Sequence, residues 1–356
     1  MVAMATTHAH SWLVCDAGGT NCSFALVEQT DRTFDVVARA RYDSQTITDF
    51  AITMAEARKT LLQQSDFRSI SGACVSAAGP VHDGTVKLTN TSWSIDEREL
   101  SQGLETGVRI INDLTAIGYA LPLVNLSDGG ECVSVWEPAS GGFGTRPRRN
   151  EASVQAVAAA GTGLGVAIVC EAHPDSLTVL PSEGGHTDLV GFDAETRQFQ
   201  HFVESAIRNS PDAELYVSGQ GLKHAAAFIM ADGGFRDGPA QELRTADPAD
   251  YPALVSRYAS DSPDAARAMR LFAKMYGRFV SGLALTVLPY AGLFLAGGVT
   301  ARNLEAIMSS GFLEGYFSHP HEGMQSALRR VPVYALRNYD VSLIGAAHAA
   351  YLSMEA

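Results

Sequence analysis

Cysteine is scarce in this 356-residue sequence, and the spacing of the five cysteines indicates neither a disulfide pair nor a metal site. The five cysteines are odd in number, contain no CxxC pair and lie mostly in apolar runs. Such thiols are expected to be buried and reduced, as in proteins of the cytoplasm.

Long apolar runs and an excess of basic residues are also missing. No run of about 18 uninterrupted apolar residues occurs, so we expect no transmembrane helix. The first residues lack the basic start and apolar centre of a secretory signal, and the last residues are not a peroxisomal address; the cytoplasm is therefore expected. With 26 Lys and Arg against 39 Asp and Glu, the charge is −13, which disfavours nucleic acid and anionic membranes as partners. A local basic pocket for a phosphate ligand remains compatible with this charge.

The length of 356 residues predicts two domains or lobes, and the alternation of strand and helix patterns predicts an α/β protein. In the first third, strands in WLVCDA, CSFALVE, FDVVARARY, SISGACVSAAGPV and VRIIND alternate with helices. One helix is predicted by the spacing of Phe50, Met54, Ala57 and Leu61. Further on, the pattern predicts one long helix in ARAMRLFAKMYGRFVSGLALTVLP, a strand in YAGLFLAGGV and a final helix in VSLIGAAHAAYLSM.

Two glycine-rich turns occur in similar surroundings. WLVCDAGGTNCSFALVE and VQAVAAAGTGLGVAIVCE each contain an apolar strand, a turn of small residues and a second apolar strand that ends in an acid. The two segments share this layout more than they share residues. They indicate a weak internal repeat.

The first turn, DAGGTN, contains Asp16, Gly18, Gly19, Thr20 and Asn21. A dinucleotide-binding loop would lead into a helix, but a strand follows here, and a Walker A loop would require a lysine that is missing. An ordinary hairpin turn is the alternative. The backbone N–H groups of a glycine turn can bind an anion, Thr20 and Asn21 add donors, and Asp16 could hold a hydrated Mg²⁺.

Polar residues elsewhere are candidates for direct chemistry. In IIND, Asp113 is a candidate general base and Asn112 a hydrogen-bonding partner, although capping of a helix is an equal alternative. In LPSEGGHTD, Pro181 and two glycines predict an irregular loop on which Glu183 and His186 bind neighbouring hydroxyl groups of a ligand.

Other candidates carry weaker signals. Glu214 is, on its own, typical of a surface carboxylate. In LAGGV, Gly297 and Gly298 allow either a flat ligand such as adenine or close packing of helix on strand.

The motifs DAGGTN, AAGPV with LTNTSW, IINDLTAIGYALP, AAGTGLGVA, LPSEGGHTD, VSGQGL, GRFVSGLAL and LAGGV occur in this order along the chain. From about residue 12 to 350, this set closely resembles the bacterial-type glucokinases of the hexokinase–actin–chaperone superfamily. The resemblance implies a two-lobed ribonuclease-H-like (actin-like ATPase) α/β fold. Each lobe would be a mixed five-stranded sheet with flanking helices, and a cleft would separate the lobes. It implies a small lobe of residues 1–112 plus 340–356 and a large lobe of residues 113–339.

The resemblance also implies a role for each candidate residue. Asp113 would be the catalytic base, and Asn112, Glu183, His186 and Glu214 would bind the sugar. The phosphates of ATP would be bound by two turns, one with Gly18, Gly19, Thr20 and Asn21 and the other with Gly161, Thr162 and Gly163. Gly219 would lie beside the nucleotide, and Gly297 and Gly298 would contact the adenosine. Asp16 would hold Mg²⁺ through water.

The implied activity is transfer of the γ-phosphoryl group of ATP to the 6-hydroxyl of D-glucose, the first step of glycolysis, by a cytoplasmic homodimer. Alternatives on the same fold are a non-catalytic sugar-sensing regulator, a hexokinase of broader specificity, and an ATPase chaperone or filament protein. The stretches 137–153 and 231–262 differ from typical members and are expected to affect the dimer contact or the rim of the cleft. Because the cysteines are scattered, we expect no zinc. Because only about eleven residues precede the first predicted strand, we also expect no N-terminal helix-turn-helix.

Overall fold

The computed structural model describes residues 9–88, 91–138, 153–173, 176–207, 210–309, 311–338 and 340–355. The strands are β1 (His10–Ala17), β2 (Asn21–Thr30), β3 (Thr33–Asp43), β4 (Gly72–Ala77), β5 (Thr85–Lys87), β6 (Ser94–Asp96), β7 (Val108–Asn112), β8 (Cys132–Trp136), β9 (Ser153–Ala160), β10 (Leu164–His173), β11 (Ser176–Ser182), β12 (Leu293–Ala296) and β13 (Val333–Leu336). The α-helices are α1 (Phe50–Gln63), α2 (Glu97–Leu104), α3 (Asp113–Ala120), α4 (Ala194–Ala206), α5 (Gly219–Ala231), α6 (Tyr251–Tyr258), α7 (Pro263–Val287), α8 (Gly298–Arg302), α9 (Leu304–Ser309), α10 (Phe312–Tyr316), α11 (Glu322–Arg329) and α12 (Val341–Glu355).

The chain divides into two compact units. Unit 1 comprises Met1–Asn125 with Asn338–Ala356, and unit 2 comprises Leu126–Arg337. Residues 113–125 therefore group with unit 1, whereas the expected lobe boundary precedes Asp113. In both divisions the last helix joins the N-terminal part of the chain.

Unit 1 contains a mixed sheet of five strands in the order β3-β2-β1-β4-β7. The pairs β3/β2 and β2/β1 are antiparallel, whereas β1, β4 and β7 run parallel. Asp16 on β1 lies opposite Ser76 on β4, which in turn lies opposite Ile111 on β7. Because parallel strands end at the same edge of a sheet, Asp16 and the residues that follow Ile111 are placed at one edge.

The core of unit 1 follows the predicted periodicity. The buried residues of α1 are Phe50, Met54, Ala57 and Leu61, as the spacing predicted. Asp49 caps the helix by accepting a hydrogen bond from the Ile52 N–H, which satisfies one of the donors left open at a helix start. Burial of this apolar stripe is what holds α1 on the sheet.

Unit 2 contains a mixed sheet of six strands in the order β11-β10-β9-β12-β13-β8. The prediction of five strands is wrong for this sheet, because β8 adds an antiparallel edge strand beside β13. The other five repeat the arrangement of unit 1: two antiparallel pairs from β11 to β9, then parallel pairs from β9 to β13. The internal repeat predicted from the two glycine turns is therefore confirmed.

The prediction that Pro181 excludes regular structure is also wrong. Pro181 lies inside β11, opposite Ala167 on β10. β11 is an edge strand, where a residue without a backbone N–H need not break the sheet. The residues that follow form a single 3₁₀ turn, Gly184–His186.

The helices of unit 2 surround one large apolar core. The longest, α7, begins after Ser262, whose side chain accepts from the Ala265 N–H. The buried Tyr276 of α7 donates to the Ala158 carbonyl of β9 at 2.9 Å, which fixes the helix beside the second glycine turn. The stretch 231–262 forms two 3₁₀ turns and α6, whereas residues 139–152 of the predicted loop lie outside the described residues. Among the described residues, none of the helices is both long and apolar enough to span a membrane.

Candidate active site

Asn112 and Asp113 occupy the junction between β7 and α3. The Asn112 side chain accepts a hydrogen bond from the Leu114 N–H at 2.9 Å and donates one to the Gly79 carbonyl at 3.1 Å. Asn112 is therefore a helix cap, as the alternative interpretation of this motif predicted. The cap fixes the start of α3 and with it the position of the next side chain, Asp113.

The Asp113 carboxyl group is partly buried at this junction. Burial is the main cause that raises its pKa to about 6; the negative charge of Asp16 adds to this effect, and hydrogen bonding from the Leu114 N–H opposes it. A carboxyl group with a pKa near 6 is largely ionised at pH 7 and still basic enough to take a proton. This combination is what a general base needs.

Asp16, at the end of β1, is the second carboxylate at this edge of the sheet. Ser342, near the start of α12, donates a hydrogen bond to the Asp16 carboxylate at 3.0 Å. Burial raises the pKa of Asp16, whereas the bond from Ser342 lowers it. The electrostatic effect of Asp16 on Asp113 shows that the two carboxylates are close enough to repel. A cation at this edge would relieve that repulsion.

The turn after Asp16 is fixed through its carbonyl oxygens. Ser44 binds the Gly18 carbonyl with its hydroxyl group at 2.7 Å and the Thr20 carbonyl with its backbone N–H at 3.0 Å. Gln45 donates to the Gly19 carbonyl at 3.1 Å. The carbonyl oxygens, which would repel a phosphate, are thus committed to the protein.

The side chain of Arg41 is a cation that lies next to this turn. The Arg41 guanidinium donates to the side-chain oxygen of Asn21 at 3.2 Å. The amide oxygen of Asn21 is therefore bound, which orients its NH₂ group as a donor. Arg41 was not singled out from the sequence, because it lies on β3 and reaches Asn21 only through the strand pairing.

The second turn, between β9 and β10, is packed tightly against its neighbours. The Gly219 N–H at the start of α5 donates to the Gly161 carbonyl at 2.9 Å. Gly297 has a positive φ of 92°, and a Cβ there would lie 2.3 Å from the Ala160 carbonyl oxygen. Gly297 therefore packs closely on the end of β9, as one of the two interpretations of LAGGV predicted.

A pocket of about 460 Å³ opens beside this turn in unit 2. Predicted residues line it: Gly161, Thr162, Gly219 and Gly298. Gln220 of the VSGQGL segment also lines it. Lys223 and Arg302 line it too and were missed, since they come from two helices and belong to none of the motifs. Gly297 and Gly163 are not among the lining residues, although both belong to the surrounding backbone. The pocket contains two cations and the N-terminus of α5, a helix of 13 residues. Both favour negative charge, so the pocket suits a phosphorylated ligand.

The candidate sugar ligands of unit 2 form a second cluster. The His186 ring is 2.8 Å from the Asp212 carboxylate, and this hydrogen bond raises the pKa of His186. The charges of Glu214 and Glu183 raise it as well, so the three predicted side chains lie near one another. The structure therefore brings together Glu183, His186 and Glu214 in unit 2, and Asp16, Asn112 and Asp113 in unit 1.

Glu214 also connects this cluster to the second glycine turn. Its carboxylate accepts a hydrogen bond from the Leu164 N–H at 2.9 Å. A Cβ on Gly163 would lie 2.5 Å from the same carboxylate oxygen, so the glycine is what allows the approach. Glu214 is half-buried, not a solvated surface carboxylate.

The donors near Asp16 fit a magnesium ion. Mg²⁺ prefers oxygen ligands, keeps several waters and is commonly held by one or two carboxylates together with substrate phosphates. Asp16 and Asp113 supply two carboxylates at one sheet edge, and the described residues contain no group of three or more His, Cys, Asp or Glu able to enclose a metal. This set suits an ion that arrives with a phosphate ligand.

The fold and these sites define a sugar kinase of the actin-like ATPase fold, built from a repeated mixed sheet with a glycine turn in each repeat. The sequence model of the glucokinase family matches residues 13–353. A curated glucokinase of Cronobacter sakazakii is 30% identical over 343 residues, covering 94% of this chain and 95% of its own length. The chain belongs to the glucokinase family.

Solved structures agree with this assignment. The glucokinase from an Antarctic psychrotroph superposes with a TM-score of 0.79 at 25% identity, covering 96% of this chain and 98% of its own. The glucokinase from Balamuthia mandrillaris, solved in complex with glucose, has a TM-score of 0.72 at 25% identity, covering 98% and 96%. The family identifies the protein as an ATP-dependent sugar kinase.

Proposed function

We propose that this member of the glucokinase family transfers the γ-phosphoryl group of ATP to the 6-hydroxyl of D-glucose, giving glucose 6-phosphate and ADP, with Asp113 as the base. The observation that carries the proposal is the Asp113 carboxylate, held at the β7–α3 junction with a pKa of about 6. Family membership and a glucose-bound relative support glucose as the acceptor.

In this proposal Asp113 accepts the proton of the 6-hydroxyl as its oxygen attacks the phosphorus of the terminal phosphate. The bond from that phosphorus to the bridging oxygen breaks, and ADP leaves with the electron pair. Phosphoryl transfer depends mostly on positioning and charge neutralisation, so the base contributes a limited part of the rate enhancement. A general base of this kind is typically worth about 10²- to 10⁴-fold.

We assign the sugar hydroxyls to Glu183, His186 and Glu214, with Asn112 as a further contact. With the Nδ1 of His186 facing Asp212, its Nε2 is the atom turned to a ligand. The carboxylates of Glu183 and Glu214 accept hydrogen bonds from neighbouring hydroxyls. A site that reads hydroxyls in this way rejects sugars lacking them more strongly than an apolar pocket could.

We assign the triphosphate of ATP to the two glycine turns, which are residues 18–21 and residues 161–163. The Lys223 and Arg302 side chains of the unit 2 pocket, which also contains Gly219 and Gly298, would neutralise phosphate charge. Asp16 would hold Mg²⁺ through water, and the ion would supply positive charge next to the phosphate oxygens. Gly297 contributes by packing, which lets the backbone approach the nucleotide.

A coupled assay for ADP, run with and without glucose, tests the activity. We expect ADP release only with glucose, and a fall of about 10²- to 10⁴-fold in kcat for Asp113→Asn with little change in glucose affinity. Glucose binding without ADP release would instead identify a sugar-sensing regulator. Hydrolysis of ATP that does not depend on glucose would identify an ATPase of the chaperone or filament class.

Asp113→Glu is a useful companion, since it keeps the charge but moves the carboxylate by one methylene. A variant that retains near-normal kcat after Asp113→Asn would overturn the base assignment without affecting the family. A panel of mannose, fructose and glucosamine measures hexose specificity, which separates a glucokinase from a broader hexokinase.

We also propose that the enzyme acts in the cytoplasm as a homodimer. The five cysteines are free thiols, four of them buried, which fits a reducing compartment. Light scattering on the purified protein measures the oligomeric state, and a mass of one chain, 37.8 kDa, would exclude the dimer.

A further inference from the structure

A second pocket lies in unit 1, formed by residues that none of the sites above uses. Its volume is about 710 Å³. It is lined by the C-terminal half of α1, by the segment that leads from α1 to β4, and by the end of α2. Pockets of about 300–1,000 Å³ are the usual size for small-molecule ligands, so this one is large enough for a metabolite.

The walls of this pocket are positively charged. Arg58, Lys59 and Arg68 line it, against a single carboxylate, Glu105. The sequence as a whole is acidic, with 39 Asp and Glu against 26 Lys and Arg, so three cations around one pocket are contrary to the overall charge. Among the described residues, neither Lys59 nor Arg68 has a carboxylate within ion-pair distance. An anion is the ligand that this charge favours.

One of the three cations is held in place by the protein. The Arg58 guanidinium donates to the Leu104 carbonyl at 2.9 Å, at the last residue of α2. A guanidinium has five N–H donors in a planar fork, so binding this carbonyl leaves others for a ligand. A fixed guanidinium loses less conformational entropy on binding than a mobile one.

The remaining lining is apolar. Leu62, Phe67 and Ile70 are partly exposed and line the same pocket as the cations. A purely inorganic anion would leave these side chains in water. The lining therefore favours a ligand with both a multiply charged end and a carbon portion that covers apolar surface.

We propose that this pocket is a second ligand site, which binds a small organic phosphate monoester separately from the hexose and ATP sites. The phosphate contacts Arg58, Lys59 and Arg68, and the carbon portion covers Leu62, Phe67 and Ile70. This inference is independent of the kinase chemistry, because no residue assigned to that chemistry lines the pocket.

Phenyl phosphate is a suitable probe, since it combines a dianionic phosphate with an apolar ring. Calorimetry on the full-length protein at low salt should show binding that weakens as salt is added, because exposed charges are screened. Inorganic phosphate, which lacks the ring, and benzyl alcohol, which lacks the charge, should each bind at least about fivefold more weakly.

The double variant Lys59→Ala/Arg68→Ala should raise the Kd for phenyl phosphate by about tenfold. Arg98→Ala is the matched control: Arg98 is an exposed cation of α2 in the same unit but does not line the pocket. It should change the Kd by less than about twofold. Arg58 is left intact because it also binds the end of α2.

Three results would overturn the proposal: no binding by the unaltered protein, equal binding by the double variant, or equal weakening by Arg98→Ala. Glucose-dependent ADP release by the double variant should remain unchanged. Loss of phenyl phosphate binding with intact kinase activity therefore separates this site from the proposed catalytic function.

Discussion

The partly buried Asp113 carboxyl group should lower the stability of unit 1 at neutral pH. Burial holds its pKa at about 6, against an ordinary value of 3.8. Between about pH 4 and 6 the folded protein binds this proton more tightly than the unfolded chain does. The contribution of Asp113 to the free energy of unfolding therefore falls as the pH rises through this window, and it stays low above it.

Asp113→Asn should accordingly stabilise the protein at pH 7.5 while it removes the base. We expect a gain of about 1–3 kcal/mol, from a shift of roughly two pKa units at 1.36 kcal/mol each. Denaturant unfolding of both proteins between pH 4 and 8 measures the gain, which should shrink toward pH 4. A variant that is less stable at pH 7.5 would contradict this account of the carboxylate.

Ser342 should position Asp16 and not act on substrate itself. Its hydroxyl group donates to the Asp16 carboxylate and lowers the pKa of that group, against the larger raising effect of burial. Ser342→Ala should raise the pKa of Asp16 and weaken binding of Mg·ATP by about 10- to 150-fold, the usual range for a hydrogen bond to a charged group. Calorimetry measures nucleotide and glucose binding separately.

Ser342→Thr, which keeps the hydroxyl group, should restore Mg·ATP binding. Glucose affinity should be unaffected in both variants. A parallel loss of glucose binding after Ser342→Ala would point to a structural role for the α12 contact.

The second glycine turn offers a comparison within one element. A Cβ on Gly163 would lie 2.5 Å from the Glu214 carboxylate, whereas at Gly161 the nearest neighbour, the Gly298 nitrogen, is 4.0 Å away. Gly163→Ala should displace Glu214 from the Leu164 N–H and raise the KM for glucose by about tenfold. Gly161→Ala should leave that KM nearly unchanged, and equal effects would show that Glu214 is not coupled to the turn.

The sequence predicted the elements that have a strong local pattern. The four apolar positions of α1 are the four buried ones, and the two strand–turn–strand segments became β1/β2 and β9/β10. These succeed because hydrophobic periodicity is a local property of the chain. The Asn112 cap was likewise available as one of two interpretations.

The features that the sequence missed depend on distant partners. β8 is only five residues long, and its partner β13 follows near the other end of unit 2. Pro181 misled because a residue that disrupts central strands is tolerated at an edge, and the sequence does not show which strand is at the edge. Lys223 and Arg302 reach one pocket from α5 and α8, which no spacing along the chain could indicate.

At the scale of the whole molecule, residues 338–356 supply the last helix of unit 1, which packs on the N-terminal part of that unit. Residues of α12 contact α3 and the sheet: His348 binds the Tyr119 carbonyl at 2.7 Å, and Arg109 binds the Ala349 carbonyl at 3.2 Å. Asp340 also pairs with Arg39 of β3. Apolar residues of α12 are buried here, among them Leu343, Ala346 and Ala347.

Removal of residues 338–356 should therefore unfold unit 1 and spare unit 2, which is continuous in sequence. Hydrogen exchange followed by mass spectrometry measures both: amides of β1, β4 and β7 should lose protection, and those of β9 and β12 should keep it. A synthetic peptide of residues 338–356 should restore part of the lost protection. Full protection of unit 1 in the shortened chain would contradict this view.

The contact between Ser342 and Asp16 has a consequence for synthesis on the ribosome. The chain emerges from its N-terminus, and domains generally fold as units during translation. Asp16 precedes its partner Ser342 by 326 residues, so it is made well before that partner. A nascent chain that does not yet include Ser342 therefore lacks the contact that completes this edge of the sheet, and we expect it to bind Mg·ATP more weakly.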